Sequence, residues 1–163
     1  MPSFSTQRHV RFTADEMFAL VADVDKYPEF LPLCTGLIVL SRRAQGAGEE
    51  LTARMSVGYK SIAENFTTRV VTNPAERSID VSYLDGPFKR LHNRWRFIDD
   101  ATGSVVDFFI DYEFRSKLFG ALMGAMFDQA FRRFTQAFEE RAANIYGQRT
   151  TQGGTSGQSF PNS

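Results

Sequence analysis

Apolar and polar positions change their period twice along this chain. Residues 7–12 alternate and read as a short first strand. Thr13, Ala14, Asp15 and Glu16 then match a capping box, with Thr13 as N-cap and Glu16 reaching back to it. Met17, Phe18, Leu20, Val21 and Val24 follow at helical spacing, which predicts a helix ending near Asp25. From residue 36 to residue 115 the period is two. Leu51, Ala53, Met55, Val57 and Tyr59 alternate with more polar neighbours, as do Ile79, Val81 and Tyr83, and then Leu91, Asn93, Trp95 and Phe97. A last strand sets Val106, Phe108, Ile110, Tyr112 and Phe114 on one face, with Asp107, Phe109, Asp111 and Glu113 on the other. Gly- and Asn-Pro-containing turns at 45–48, 73–74, 85–87 and 99–103 mark breaks between runs in this block, which is counted as six strands. From about residue 117 to residue 146 the helical period returns, with Phe119, Leu122, Met123, Met126, Phe127, Phe131, Phe134 and Phe138 as a broad apolar stripe.

The order is therefore strand, helix, six-stranded meander, long helix. Strands adjacent in sequence favour antiparallel pairing with one dry and one wet face. Only the last helix, about 45 Å long at 30 residues, is large enough to cover the dry face. An α+β domain is expected: a curved antiparallel sheet of about seven strands around a long C-terminal helix, with a short helix after the first strand. Its span is 1–147. The Gly/Ser/Thr/Gln-rich tail, 148–163, reads as disordered.

Between the first helix and the meander lies Tyr27-Pro28-Glu29-Phe30-Leu31-Pro32-Leu33-Cys34. Two prolines remove backbone donors and disfavour helix in the residues before them. Four large apolar side chains on a stiff, irregular segment either belong to the core or line a pocket.

Composition narrows the chemistry. Nineteen Lys and Arg balance nineteen Asp and Glu, which gives no support to a general DNA or acidic-substrate binder. The one cysteine, Cys34, excludes an internal disulfide and fits a reducing compartment. His9 and His92 are placed on outward strand positions, and with one Cys they make no closed metal site. No Walker-type loop or GxGxxG is present. No catalytic residue is assigned: Asp107, Asp111 and Glu113 lie on the face expected to be wet. No apolar run is long enough to span a membrane, and no signal segment is visible, so a cytoplasmic location is expected, with peripheral contact at the inner face of a bacterial inner membrane. Sixteen phenylalanines, ten of them between Phe88 and Phe138, supply aromatic walls instead.

Three collinear stretches carry a family resemblance: Val21 to Cys34, Asp85 to Leu91 with Trp95-Arg96-Phe97, and Asp111-Tyr112-Glu113-Phe114-Arg115-Ser116. Together they resemble the coenzyme Q-binding START-domain proteins and the related RatA ribosome-association toxins, within the polyketide cyclase/START-like superfamily. The resemblance spans roughly residues 3–146. It implies the helix-grip fold and a non-enzymatic protein that binds ubiquinone or a similar prenyl lipid in support of respiration. In the RatA-like alternative the partner is the large ribosomal subunit. Glu113 to Ser116 and Ala137 to Ala142 favour the quinone-binding branch.

On that basis Tyr27, Phe30, Leu31 and Leu33 are expected at the cavity mouth, and Phe88, Leu91, Trp95, Phe97, Phe108 and Ile110 in its walls. A quinone head accepts hydrogen bonds and donates none, so Asn93, Tyr83, Tyr112 and Lys89 are the candidate donors. Leu118, Phe119, Leu122 and Met123, in a helix segment apolar on nearly all sides, are candidates for contact with a membrane or partner. Arg90, Arg94 and Arg96 point outward beside His92, either paired with the acids of the next strand or available to lipid head groups or rRNA phosphates.

Overall fold

The computed structural model describes residues 3–147. Seven strands, β1 (Ser3–Val10), β2 (Cys34–Gln45), β3 (Gly48–Tyr59), β4 (Ile62–Asn73), β5 (Ser78–Asp85), β6 (Phe88–Asp100) and β7 (Gly103–Phe114), form one antiparallel sheet in the order β1-β7-β6-β5-β4-β3-β2. Helix α1 (Ala14–Ala22) follows β1, and α2 (Lys117–Arg132) and α3 (Phe134–Tyr146) follow β7.

Each local signal has its physical counterpart. The Glu16 N–H donates to Thr13 Oγ1 at 3.1 Å, and the Thr13 N–H donates to Glu16 Oε1 at 2.9 Å, so two orphan helix-end donors are satisfied. Alternation puts Leu91, Trp95, Phe97, Val106, Phe108, Ile110 and Tyr112 into the core, and leaves Arg96 and Ile98 exposed. Pairing of Asn93 with Ile110 and Trp95 with Phe108 fixes which side chains meet.

Two elements differ from expectation. The α-helix stops at Ala22, and the proline segment is not irregular throughout: Val24–Glu29 coils as a 3₁₀ helix with Pro28 inside. The φ of proline, near −65°, is also a 3₁₀ value, so a short tight helix accepts a residue that an α-helix interior rejects. Leu33, at φ 68°, ends the segment and turns the chain into β2. The C-terminal helix is broken at Arg133, whose N–H donates to Ala130 three residues back. The tightened joint lets Phe131 meet Tyr112 at 5.0 Å while Phe134 meets Phe108 at 6.2 Å, both against the sheet. The predicted disordered tail, 148–163, lies outside the described residues.

Candidate functional site

Between the concave face of the sheet and the helices lies an apolar cavity, partly open to solvent. It offers about 80 Å³ to the centre of a water molecule, inside an envelope of about 830 Å³ that includes its open side. At roughly 15 Å³ per water centre the inner space holds several waters or one small ring.

The proline segment contributes Tyr27, Leu31, Pro32 and Leu33, with Val24 ahead of it. Strands β6 and β7 contribute Leu91, Asn93, Trp95 and Ile110, all predicted. The helices close the space with Phe127, Ala130, Phe131, Phe134 and Phe138. The largest group not assigned from sequence comes from β2 to β5: Leu37, Ala53, Met55, Val57, Phe66, Thr68, Val70 and Val81. Their inward alternation was readable, but nothing in a period of two says whether an inward side chain meets another side chain or empty space.

Seven of the predicted ligand residues, Tyr83 among them, do not line the cavity. Phe30 packs edge-on against Phe138 at 5.0 Å, under the Arg141 guanidinium. Phe88 is stacked on Phe114 at 4.9 Å and fills the core beyond the cavity. Phe97 lies parallel to Trp95 at 6.1 Å and meets Phe18, and Phe108 supports Trp95 from 4.6 Å. Tyr112 is held between Phe88 and Phe131; burial, helped by Asp128, pushes its phenol up to about 12. Lys89 sits at a bulge in β6 and is exposed, so it is no donor to the interior. Large aromatics were the natural sequence choice, but in a close-packed interior what lies opposite decides whether an inward ring borders space, as Trp95, Phe127 and Phe131 do, or completes the core, as Phe88, Phe97 and Phe108 do.

Polar groups in the wall are few. Asn93 donates one amide N–H to the Phe109 carbonyl and accepts the Trp95 indole N–H, both at 2.9 Å, which leaves its second N–H. The Tyr27 hydroxyl donates to the Val21 carbonyl at 2.5 Å, and burial raises its phenol far above the usual range. Thr68 is buried and lines the cavity. Tyr83 is committed outside the cavity, where its oxygen accepts the Phe88 N–H. Among the described residues no carboxylate lines the cavity. Such a surface rewards an apolar ligand bearing an acceptor or two.

The outer face of the sheet is a separate system. Arg90 forms a bidentate pair with Asp111 at 3.0 and 3.1 Å and a second pair with Glu113. Through that hydrogen bonding Arg90 holds the Asp111 carboxyl below the usual carboxylate range. His92 pairs with Asp80 at 3.2 Å. Arg94 lies over the Phe109 ring at 5.1 Å, and among the described residues neither Arg94 nor Arg96 is in an ion pair. Cys34 is buried, with its thiol pushed up by burial and its Sγ 3.5 Å from the Gly36 carbonyl oxygen. Among the described residues no cluster of three or more His, Cys, Asp or Glu side chains could hold a metal ion, and no helix is long and apolar enough to cross a membrane.

A family model described as polyketide cyclase/dehydrase and lipid transport matches residues 10–139. The chain belongs to that family. Among its relatives, the ribosome association toxin RatA of Escherichia coli K12 is 35% identical over 150 residues, covering 91% of this chain and 92% of the relative. Coenzyme Q-binding protein COQ10 homolog B of Xenopus laevis is 29% identical, covering 88% of this chain and 59% of the relative. The solution structure of the 18 kDa protein CC1736 from Caulobacter crescentus is 39% identical, with a TM-score of 0.75 over 91% of this chain and all of that one. The ZhuI aromatase/cyclase shares the fold at a TM-score of 0.76 and 18% identity. The family thus includes proteins named for binding and for toxicity, and the fold also carries cyclase chemistry. Identity is higher to the RatA-named relative than to the COQ10 homolog, whereas residues 113–116 and 137–142 had favoured the quinone branch.

Proposed function

We propose that this protein binds ubiquinone or a similar prenyl lipid in the cavity between sheet and helices, as a non-enzymatic carrier working at the cytoplasmic side of a membrane. The observation that carries the reading is the wall itself: apolar on nearly all sides, with no carboxylate among the described residues, and with the spare Asn93 N–H and Thr68 hydroxyl as polar points. These groups can donate to carbonyl or methoxy oxygens, and the isoprenoid tail gains about 25 cal/mol per Å² removed from water. The redox chemistry stays with the quinone, and the protein supplies shelter and orientation. No catalytic cofactor enters this scheme.

The test is mass spectrometry on an organic extract of gently purified protein, with Ala53→Phe alongside. Ala53 is small, buried and lines the cavity, so a phenyl ring there fills space rather than displacing a packed neighbour. A lysine at Trp95 would instead be buried against Phe108 and Phe138 without a counter-charge and would disturb the fold itself. A prenyl lipid near one per chain in the wild type, absent from a folded Ala53→Phe, is expected. A lipid-free extract from protein that also fails to take up added quinone overturns the reading.

A second reading, association with the large ribosomal subunit, draws on the names of the RatA relatives and on Arg94 and Arg96, which make no ion pair among the described residues. Cosedimentation with large subunits, lost on Arg94→Glu/Arg96→Glu, supports it. Arg90 is unsuited to the test because its charge is consumed by Asp111 and Glu113.

A further inference from the structure

Two polar side chains stand in the cavity wall with hydrogen-bonding capacity to spare, and they come by it differently. Thr68 of β4 is 7% exposed and lines the cavity, and among the described residues its hydroxyl makes no hydrogen bond. A hydroxyl both donates and accepts, so both functions stay open. Asn93 of β6 spends half its capacity on its own orientation. The Trp95 indole N–H only donates, so the Asn93 amide oxygen faces it; the Phe109 carbonyl only accepts, so the Asn93 amide nitrogen faces that. Together these partners hold the amide one way round and leave it one N–H and one oxygen lone pair. Tyr27, the third polar group of the wall, gives its hydroxyl proton to the Val21 carbonyl.

Strand register sets the span between the two groups. Thr68 pairs with Tyr83 and Val70 with Val81 across β4 and β5, and Val81 pairs with Asn93 across β5 and β6. Thr68 therefore lies two strands across and two residues along from Asn93, about 12 Å between Cα atoms on a flat sheet. Both side chains line the concave face, where inward groups converge, so their polar atoms are nearer than that. Val81, between them, also lines the cavity and gives an apolar floor, whereas Tyr83 is held outside by the Phe88 N–H.

A ring fits this span in one way. Oxygens at opposite ends of a six-membered ring are about 5 Å apart, and a hydrogen bond at each end extends the reach to about 11 Å. Oxygens on neighbouring ring carbons are only about 3 Å apart and reach one of the two groups at a time.

We propose that Thr68 and Asn93 clamp a six-membered ring by oxygens at its opposite ends, and that the clamp holds a 1,4-quinone and the corresponding quinol alike. The proposal rests on the reading of the cavity as a prenyl-quinone site and adds which ring substitution and which redox states that site accepts. Quinone oxygens only accept, and Thr68 and Asn93 each donate to one of them. Quinol hydroxyls donate, and Thr68 Oγ1 and the free lone pair of Asn93 Oδ1 receive their protons. Among the described residues of the wall none is charged, so no field favours either form. The protein carries both forms and converts neither.

Calorimetry on the full-length protein tests this with four ligands that share one prenyl unit: the 1,4-benzoquinone, its quinol under anaerobic conditions, a catechol with its oxygens on neighbouring carbons, and a phenol with one oxygen. Infrared spectra of the bound quinone, labelled with carbon-13 at one carbonyl at a time, read the two ends separately. Wild type is expected to bind quinone and quinol within about threefold of each other and the other two about tenfold more weakly, with both carbonyl stretches lowered by hydrogen bonding. Thr68→Val is expected to weaken quinone and quinol together by about tenfold and to return one stretch to its unbonded frequency, and Thr68→Ser to restore both. Equal binding of the catechol or phenol, a quinol about tenfold or more away from the quinone, or two lowered stretches in Thr68→Val overturns the clamp and leaves the cavity reading standing. A wild type that binds none of the four overturns the cavity reading, and the clamp with it.

Discussion

At the scale of single residues, the charge cluster on β6 and β7 shows how an outward arginine is spent. Arg90 makes a bidentate pair with Asp111 and reaches Glu113 as well, so of three outward arginines that the strand pattern treats alike it is the one most engaged. The Asp111 carboxyl is held below its ordinary range in the folded state, so the folded protein binds that proton more weakly than the unfolded chain. Its stabilising contribution is complete above the unfolded value of about 3.9 and is lost as the pH falls through the lower folded value. Asp111→Asn should therefore lower stability at neutral pH and flatten the loss below about pH 4. Urea unfolding measured across that window checks the sign. Parallel curves for the two proteins would remove the pair from the account of acid sensitivity. Asn93 teaches a related lesson: the strand pattern placed it inside, but its use depends on the Phe109 carbonyl and Trp95 indole, which consume two of its four hydrogen-bonding positions.

At the scale of elements, period and capping chemistry determined most of what formed. The Thr13 capping box, the four turns and the two helical stretches are local properties, and local sequence encodes them. The break at Arg133 was not legible, because no proline or glycine marks it; it follows from the need of Phe131 and Phe134 to reach the same sheet. The Gly120 and Gly124 pair reads as one motif in sequence but splits into two roles. Gly120 lies against Phe114, where an added Cβ would come within 3.4 Å of the ring, whereas Gly124 borders open space. Gly124→Ala should accordingly raise stability by about 0.5–1 kcal/mol, since a helical residue gains Ala's propensity without a clash. Chemical denaturation gives the number, and a loss of stability would mean that α2 is more tightly covered at this point than its surroundings indicate.

At the scale of the whole molecule, the curved sheet and the helices enclose a space that no element contains by itself. Ala53, Thr68 and Val70 on the sheet face Phe131 and Phe134 across it, and each alone would pass for ordinary core. A ligand that occupies this space stabilises the folded state in proportion to its binding. Saturation at a hundred times Kd should add about 2.7 kcal/mol and raise Tm accordingly. Thermal unfolding with a short-tailed prenyl quinone checks this, and the shift should vanish in Ala53→Phe. An unchanged Tm in a wild type kept at saturating quinone would speak against a binding cavity.

By itself the sequence determined most of the secondary structure, the antiparallel meander, the inward faces of β3 and β5 to β7 and the family, because period, turn chemistry and three short motifs are local. Tertiary structure alone decided which inward residues border empty space. It moved Phe30, Phe88, Phe97, Phe108 and Tyr112 into solid packing, released Lys89 to solvent, and set residues of β2 to β5 around the cavity. The physical reason is that a void is a deficit of volume summed over many side chains from distant parts of the chain. Alternation reports only the direction of each side chain, and only the folded curvature of the sheet sets the distance to what lies opposite.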